Sequence, residues 1–257
     1  ETIGIRCQTT IDGYDANLPA GASTPRQVAI LLLSGGDAVS DVPLLRWPPF
    51  TLTDDASCRR IQHGGFLHGI ELFDNFFFRI SDCEAASMDP QQRLLLECGS
   101  AAVLSCGLDP FALDGRDVGT FVGISSSDFA YLLHASDVPS ITAYCMTGCA
   151  VSIASGRLSY VLGLNGPCAS YYTACSSSLV ACHAAVGAYE RVECAGSIVA
   201  AVSVMLSPAA SLCFAVAGMT SVLGRCHTFD VRADGYARSE ACVSLALSVA
   251  RHMDDEG

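Results

Sequence analysis

The run Thr173-Ala174-Cys175-Ser176-Ser177-Ser178-Leu179 holds the residues best suited to chemistry. A strand-like segment leads into it and a helical one leaves it, so Cys175 falls on a tight turn of small residues at a helix start. A thiol there meets the positive end of the helix and N–H groups with no intrahelical partner, a setting that favours thiolate. Small neighbours let a carbonyl approach, and the backbone N–H of Cys175 can face a developing oxyanion. This is the strand–nucleophile–helix logic of a covalent acyl enzyme. The chain has 14 Cys, and the others lie singly among small apolar residues, as free thiols of a reduced interior do. Cys145 and Cys149 stand four apart, but no second close pair with a His completes a site, so no metal is expected. All 14 basic residues are Arg, which removes Lys from the catalytic candidates.

Such a turn needs a covered sheet behind it. The 257 residues are 51% apolar and 16% charged, ample for one large core and far from a disordered composition. A formal net charge of −12 argues against nucleic acid and anionic membrane as partners. Mean hydropathy is +0.39. Two long stretches, 158–189 and 194–224, lack Asp, Glu and Arg. Asn165-Gly166-Pro167 and Ser207-Pro208 interrupt them, so they read as short buried elements and not as membrane spans. The sequence opens at Glu1 with no charged-then-apolar leader, which leaves the compartment open. The free thiols point to a reducing intracellular one, cytoplasm or organelle.

Helices are predicted over Pro25–Leu33, with Gly35-Gly36 after it, and from Asp89-Pro90 to Cys106. On the latter, Leu95, Gly99, Ala102 and Cys106 form the inner face. Further helices are predicted over Cys149–Leu162 and Cys175–Tyr189. Strands are predicted over Thr2–Cys7, Val118–Ile124, Pro167–Ala174, Ser197–Leu206 and Cys242–Val249. Leu45–Gly69 reads as irregular. Strands alternate with helices, giving an α/β class and a single domain over 1–257 with no internal repeat.

Gly166-Pro167 followed by the Thr173–Leu179 run resembles the nucleophile motif of β-ketoacyl synthases, in particular the ketosynthase domains of modular polyketide synthases. The resemblance extends over nearly the whole chain. It includes Asp37-Ala38-Val39-Ser40, Arg46-Trp47, Gly64-Gly65-Phe66-Leu67, Phe121-Val122-Gly123-Ile124 and Gly156-Arg157-Leu158-Ser159-Tyr160. Met88-Asp89-Pro90-Gln91-Gln92-Arg93-Leu94-Leu95-Leu96-Glu97 is highly specific, and Thr228-Phe229-Asp230, Arg232-Ala233-Asp234-Gly235-Tyr236 and Arg238 follow in order. The resemblance implies a thiolase-like fold, of which this is the N-terminal half, with a mixed five-stranded sheet covered by helices. It implies that Cys175 accepts the acyl group, that Thr173 and Phe229 lie at the acyl site, and that no cofactor is used. It also implies dimerisation through the strand at about Pro167–Ala174. The family reaction moves an acyl group from a carrier protein onto the thiol, and a malonyl-type extender then loses CO2 and attacks it.

The sequence also departs from the family. Condensation uses one His in a His-Gly-Thr-Gly-Thr motif and another in an Asn-Ile-Gly-His motif, with a late Gly-Phe-Gly-Gly-Thr-Asn loop. The six His, at 63, 68, 134, 183, 227 and 252, lie in neither motif. His183 reads as a helix residue and His227 as a surface one. Tyr171-Tyr172 replaces the Val-Asp that commonly precedes Thr-Ala-Cys, which crowds the turn. Ala200-Ala201-Val202 and Ser239-Glu240-Ala241-Cys242-Val243 replace glycine-rich runs, where strain is expected if those glycines have φ > 0.

The expected function is therefore that of a ketosynthase-derived, acyl-accepting half that does not condense as this chain alone. The alternative is a catalytically inactive half-ketosynthase serving as a structural subunit. An apolar layer left open implies a homodimer mate, the C-terminal half missing from this chain or a larger complex. An acidic acyl carrier protein would need a local basic patch, for which Arg59 and Arg60 are candidates.

Overall fold

The computed structural model describes residues 6–47, 56–125, 127–135 and 142–252. One five-stranded mixed sheet organises them. Its strands are β1 (Arg6–Asn17), β2 (Val118–Ile124), β3 (Cys168–Tyr171), β4 (Gly196–Ser203) and β5 (Ala241–His252), in the spatial order β1-β5-β4-β2-β3. The neighbours β3, β2 and β4 run parallel, while β5 is antiparallel to both β4 and β1. This is the α/β architecture expected from the sequence.

The main helices are α1 (Pro25–Leu33), α2 (Pro90–Ser105), α3 (Ile153–Val161), α4 (Ser177–Glu190) and α5 (Pro208–Val216). Side chains alternate across a strand, so each sheet face meets a different helix layer. Val122, Ile124, Ala200 and Val202 point to Leu94, Leu95 and Cys98 of α2. Phe121, Val199 and Leu247 point to Ala181, Ala185, Ala188 and Tyr189 of α4. The alanine stripe at i, i+4 and i+7 brings α4 close to the sheet. The Tyr189 hydroxyl is 2.5 Å from Ser197 Oγ and donates to the Leu247 carbonyl at 3.1 Å. Burial pushes this phenol up to about 12.

Helix α2 is the central strut. Asp89 caps it by accepting from the Gln91 N–H at 2.8 Å, and Pro90 occupies the first turn. Its expected inner face is too narrow, because Gln91, Gln92, Leu96, Ser100 and Val103 are buried as well. The sheet covers one side, and Phe78, Ile80 and Leu158 cover another. From α3, Arg157 donates through Nε to Gln92 Oε1 of α2 at 2.6 Å and pairs with Glu84 at 2.5 Å. Arg93 donates twice to the Met88 carbonyl, at 3.1 and 2.8 Å.

Several sequence boundaries are corrected. Cys149–Leu162 is two helices, Tyr144–Cys149 and α3, because Ala150 is extended at φ −75° and ψ 119°. The strand expected to reach Leu206 stops at Ser203, where Ser207 opens α5. Residues 2–5 of the expected first strand lie outside the described residues, and β1 continues to Asn17. The last strand extends to His252. Within Leu45–Gly69, a short helix (Ala56–Arg59) and a two-residue strand (His63–Gly64) form. Among the described residues, no helix is long and apolar enough to cross a membrane.

Candidate active site at the β3–α4 turn

The chain leaves β3 at Tyr171 and makes one 3-10 turn, Ala174–Ser176, before α4 begins. Both the predicted strand and the predicted helix are trimmed by this turn. Ala174 sits in the left-handed region at φ 53°, which costs a non-glycine residue about 1 kcal/mol. The serines hold that conformation. Ser176 Oγ is 2.7 Å from the Thr173 carbonyl and 3.0 Å from Thr173 Oγ1. The buried Ser177 hydroxyl donates to the Ala174 carbonyl at 2.7 Å and accepts from the Thr173 N–H at 2.9 Å. The sequence marks these serines as small; their work as clamps comes from hydrogen bonds three and four residues back along the turn.

Gly123, near the end of β2, supports the turn from behind. A Cβ there would come within 2.8 Å of the Ser177 carbonyl carbon and the Ser178 nitrogen. The close approach sets how far the start of α4 can sink onto the sheet.

Cys175 is an exposed free thiol on this bend. It borders a cleft of about 970 Å³ at the C-terminal ends of the parallel strands β2 and β4, on the α4 face. Open α/β sheets bind ligands at this end of the strands. Gly123, Ala174, Cys175 and Ser178 form one wall, and Ala201, Ser203, Val243 and Leu245 of the sheet form the floor. Tyr172 lines the same cleft as Cys175 and is 64% exposed.

Thr173 is exposed and belongs to the turn itself. Phe229 is fully exposed, has a left-handed backbone at φ 63° and is not among the residues lining the cleft. His183 is exposed on α4. His227, read as a surface residue, is half-buried. Arg60 is withdrawn from the expected basic patch, since its guanidinium is bonded to the carbonyls of Thr220 and Asp234. Arg59 remains exposed.

The replaced glycine-rich runs carry no backbone strain: none of Ala200, Ala201, Ser239, Ala241 and Val243 has a positive φ. In the second run, Glu240 is fully buried. It accepts from Arg46 at 3.2 Å, from the Leu67 N–H at 2.7 Å and from the Met205 N–H at 2.8 Å. This carboxylate anchors the residues flanking it, Ser239 and Ala241, which line the cleft.

Comparison with known proteins agrees with the fold and the motif order. The family model for the β-ketoacyl synthase N-terminal domain matches residues 9–252. The chain is 39% identical over 250 residues to the mycocerosic acid synthase-like polyketide synthase of Mycolicibacterium smegmatis, covering 95% of this chain and 12% of that protein. It is 42% identical over 242 residues to the pikromycin polyketide synthase component PikAII of Streptomyces venezuelae, covering 92% of this chain and 6% of that one. The ketosynthase from module 6 of the bacillaene synthase of Bacillus subtilis superposes with a TM-score of 0.82 at 32% identity, covering 93% of this chain and 40% of that structure. The chain thus spans a small part of these synthases and under half of the solved ketosynthase. With the thiolase-like fold, the turn geometry and this match in hand, the chain belongs to the β-ketoacyl synthase N-terminal domain family.

Proposed function

We propose that this chain supplies the acyl-accepting half of a polyketide-type ketosynthase and that Cys175 is its nucleophile. The observation that carries this reading is an exposed thiol on a strained, serine-clamped bend, at the start of α4 and on the wall of a large cleft. In the step proposed, the Cys175 thiolate attacks an acyl thioester. The Sγ–C bond forms, the donor C–S bond breaks, and the donor thiol leaves with the proton that Cys175 gave up. The Cys175 N–H is this chain's oxyanion donor, Thr173 flanks the acyl group from the turn, and Phe229, which stands outside the cleft here, is assigned to the acyl site by the resemblance alone. An acyl carrier protein delivers that group.

The same reading makes 1–257 one domain that works against a second half carrying the condensation histidines. None of the six His stands in either motif, so acylation and condensation separate. The edge strand β3 is the proposed seam for a homodimer mate. The open floor of the cleft is the proposed seat of the second half or of a larger complex.

The test incubates the chain with an acyl thioester and then with a malonyl-type thioester. Intact mass should show one acyl adduct on wild type and none on Cys175→Ala. Carbon–carbon bond formation should not exceed that control. An adduct that persists in Cys175→Ala rejects the nucleophile, and condensation by wild type alone rejects the division of labour.

A further inference from the structure

Cys145 and Cys149 stand four residues apart on the short helix Tyr144–Cys149, a spacing that puts both thiols on one face. Both are half-buried, and Tyr144 and Met146 beside Cys145 are exposed, so a small oxidant reaches this turn from solvent. Their surroundings differ. Thr142 Oγ1 is 3.6 Å from Cys145 Sγ, and Ser87 Oγ is 3.0 Å from Thr142 Oγ1. A hydroxyl that turns its proton toward sulfur stabilises thiolate, and the Thr142 hydroxyl holds the Cys145 thiol below its ordinary value. Burial pushes the Cys149 thiol up, and the charges of Asp89 and Cys145 add to this. One thiol is thus disposed to react, and its neighbour stays protonated within reach.

Side chains at this helical spacing have Cβ atoms about 5–6 Å apart, and a disulfide brings them to about 3.5–4.5 Å. The helix end can take up the difference, because Cys149 is its last residue and Ala150 is already extended. Bonds to α2 resist that closure. The Gly148 carbonyl accepts from the Asp89 N–H at 3.0 Å, and the Thr147 and Ala150 carbonyls accept from Gln92 Nε2 at 3.0 and 3.3 Å. A bridge formed against them is strained and easily reduced, the property of a switchable disulfide and not of a structural one.

The geometry points to Cys145 and Cys149 as a reversible oxidation site whose co-substrate is a hydroperoxide. The Cys145 thiolate attacks the peroxide: an S–O bond forms, the O–O bond breaks, and hydroxide leaves and takes up the proton that Cys145 gave up. The Cys149 sulfur then attacks the sulfenic sulfur. The S–S bond forms, the S–O bond breaks, and the thiol proton leaves with the hydroxyl as a second water. Two thiols are oxidised and one peroxide is reduced. Neither residue lines the Cys175 cleft, so this site stands independently of the acyl chemistry.

Trypsin cuts at Arg116 and Arg157 and releases residues 117–157, which hold Cys145 and Cys149 and no other Cys. The test treats the full chain with an equimolar amount of hydrogen peroxide, blocks remaining thiols with N-ethylmaleimide, digests it and weighs this peptide. The peptide should lose two hydrogens, take up no maleimide and recover both thiols in dithiothreitol. In Cys149→Ser, dimedone should trap Cys145 as its sulfenic acid, and in Cys145→Ser, Cys149 should remain a thiol. Thr142→Val removes the hydroxyl and should slow Cys145 oxidation about fivefold at pH 7 without slowing that of Cys168. Maleimide on both thiols of peroxide-treated wild type overturns the proposal, and that measurement needs no variant to fold. A bridge from Cys145 to the peptide holding Cys83 overturns it as well. Dimedone labelling of Cys149 in Cys145→Ser as strong as that of Cys145 in Cys149→Ser rejects the division between the two thiols.

Discussion

Gly123 shows how tightly the candidate nucleophile is positioned. Gly123→Ala must push the start of α4 outward, because the atoms a Cβ would strike are backbone. Overpacking of this kind costs about 1–3 kcal/mol. A drop in thermal stability of that size should accompany a loss of Cys175 acylation larger than the stability change explains. A melt and a single-turnover mass measurement check both. Glu240 makes a second case. Glu240→Ala strands the Arg46 cation and two N–H donors, which should cost about 3–5 kcal/mol in denaturant unfolding. Glu240→Gln, which keeps an acceptor for one donor, should cost less. At this scale the sequence was readable where the motif is local. Cys175 on its small-residue turn could be placed from its flanking segments alone. The roles of Gly123 and Glu240 could not, because their partners lie on other strands and helices and no spacing rule links them.

Among the elements, α2 carries a titratable cap. Burial raises the Asp89 carboxyl above the usual aspartate value, despite the hydrogen bonds from Gln91. A raised carboxyl stabilises the fold fully below its unfolded value near pH 4, and that contribution is lost as pH rises through the folded value. Asp89→Asn keeps an acceptor for the Gln91 N–H and cannot ionise. Its stability relative to wild type should therefore be near zero at about pH 3 and increase toward neutral pH. Urea unfolding at a series of pH values measures this, and a difference that stays flat with pH would refute the assignment. Elements with a simple periodicity were legible in the sequence. Val118–Ile124 matches at both ends because a strand covered on both faces reads as one apolar run. The break at Ala150 was not legible, since Ala150-Val151-Ser152 contains no breaker. Strand β1 was hidden for another reason. Its register shifts between Ile11 and Gly13, and a Cβ on buried Gly13 would come within 2.4 Å of the Ala102 carbonyl on α2, so its pattern is set by tertiary contact.

Across the whole molecule, apolar surface is left open. On α1, Leu32 and Leu33 are exposed, Leu33 at 89%, and Leu44 and Leu45 are exposed beyond it. Helix α4 covers the sheet over β2 and β4, and Val243 and Leu245 remain on the cleft floor. Exposed leucines of this kind are candidates for burial against a partner. Sedimentation velocity should therefore show association of the isolated chain, or binding of an apolar dye if it is held monomeric; a stable monomer without dye binding would contradict this.

The pairing of β1 with β5 has a kinetic consequence. The first described strand hydrogen-bonds to the last, from Arg6↔His252 to Asn17↔Cys242. Ribosomes add about 5–20 residues per second, so β1 is made on the order of ten seconds or more before its neighbour exists. During that interval neither β1 nor the outer edge of β4 has its ladder partner, and the loop to be closed is nearly the full chain. Closure of the sheet is consequently a late and slow event in biogenesis, and these two waiting edges are where a nascent chain of this kind would engage a chaperone or misassemble.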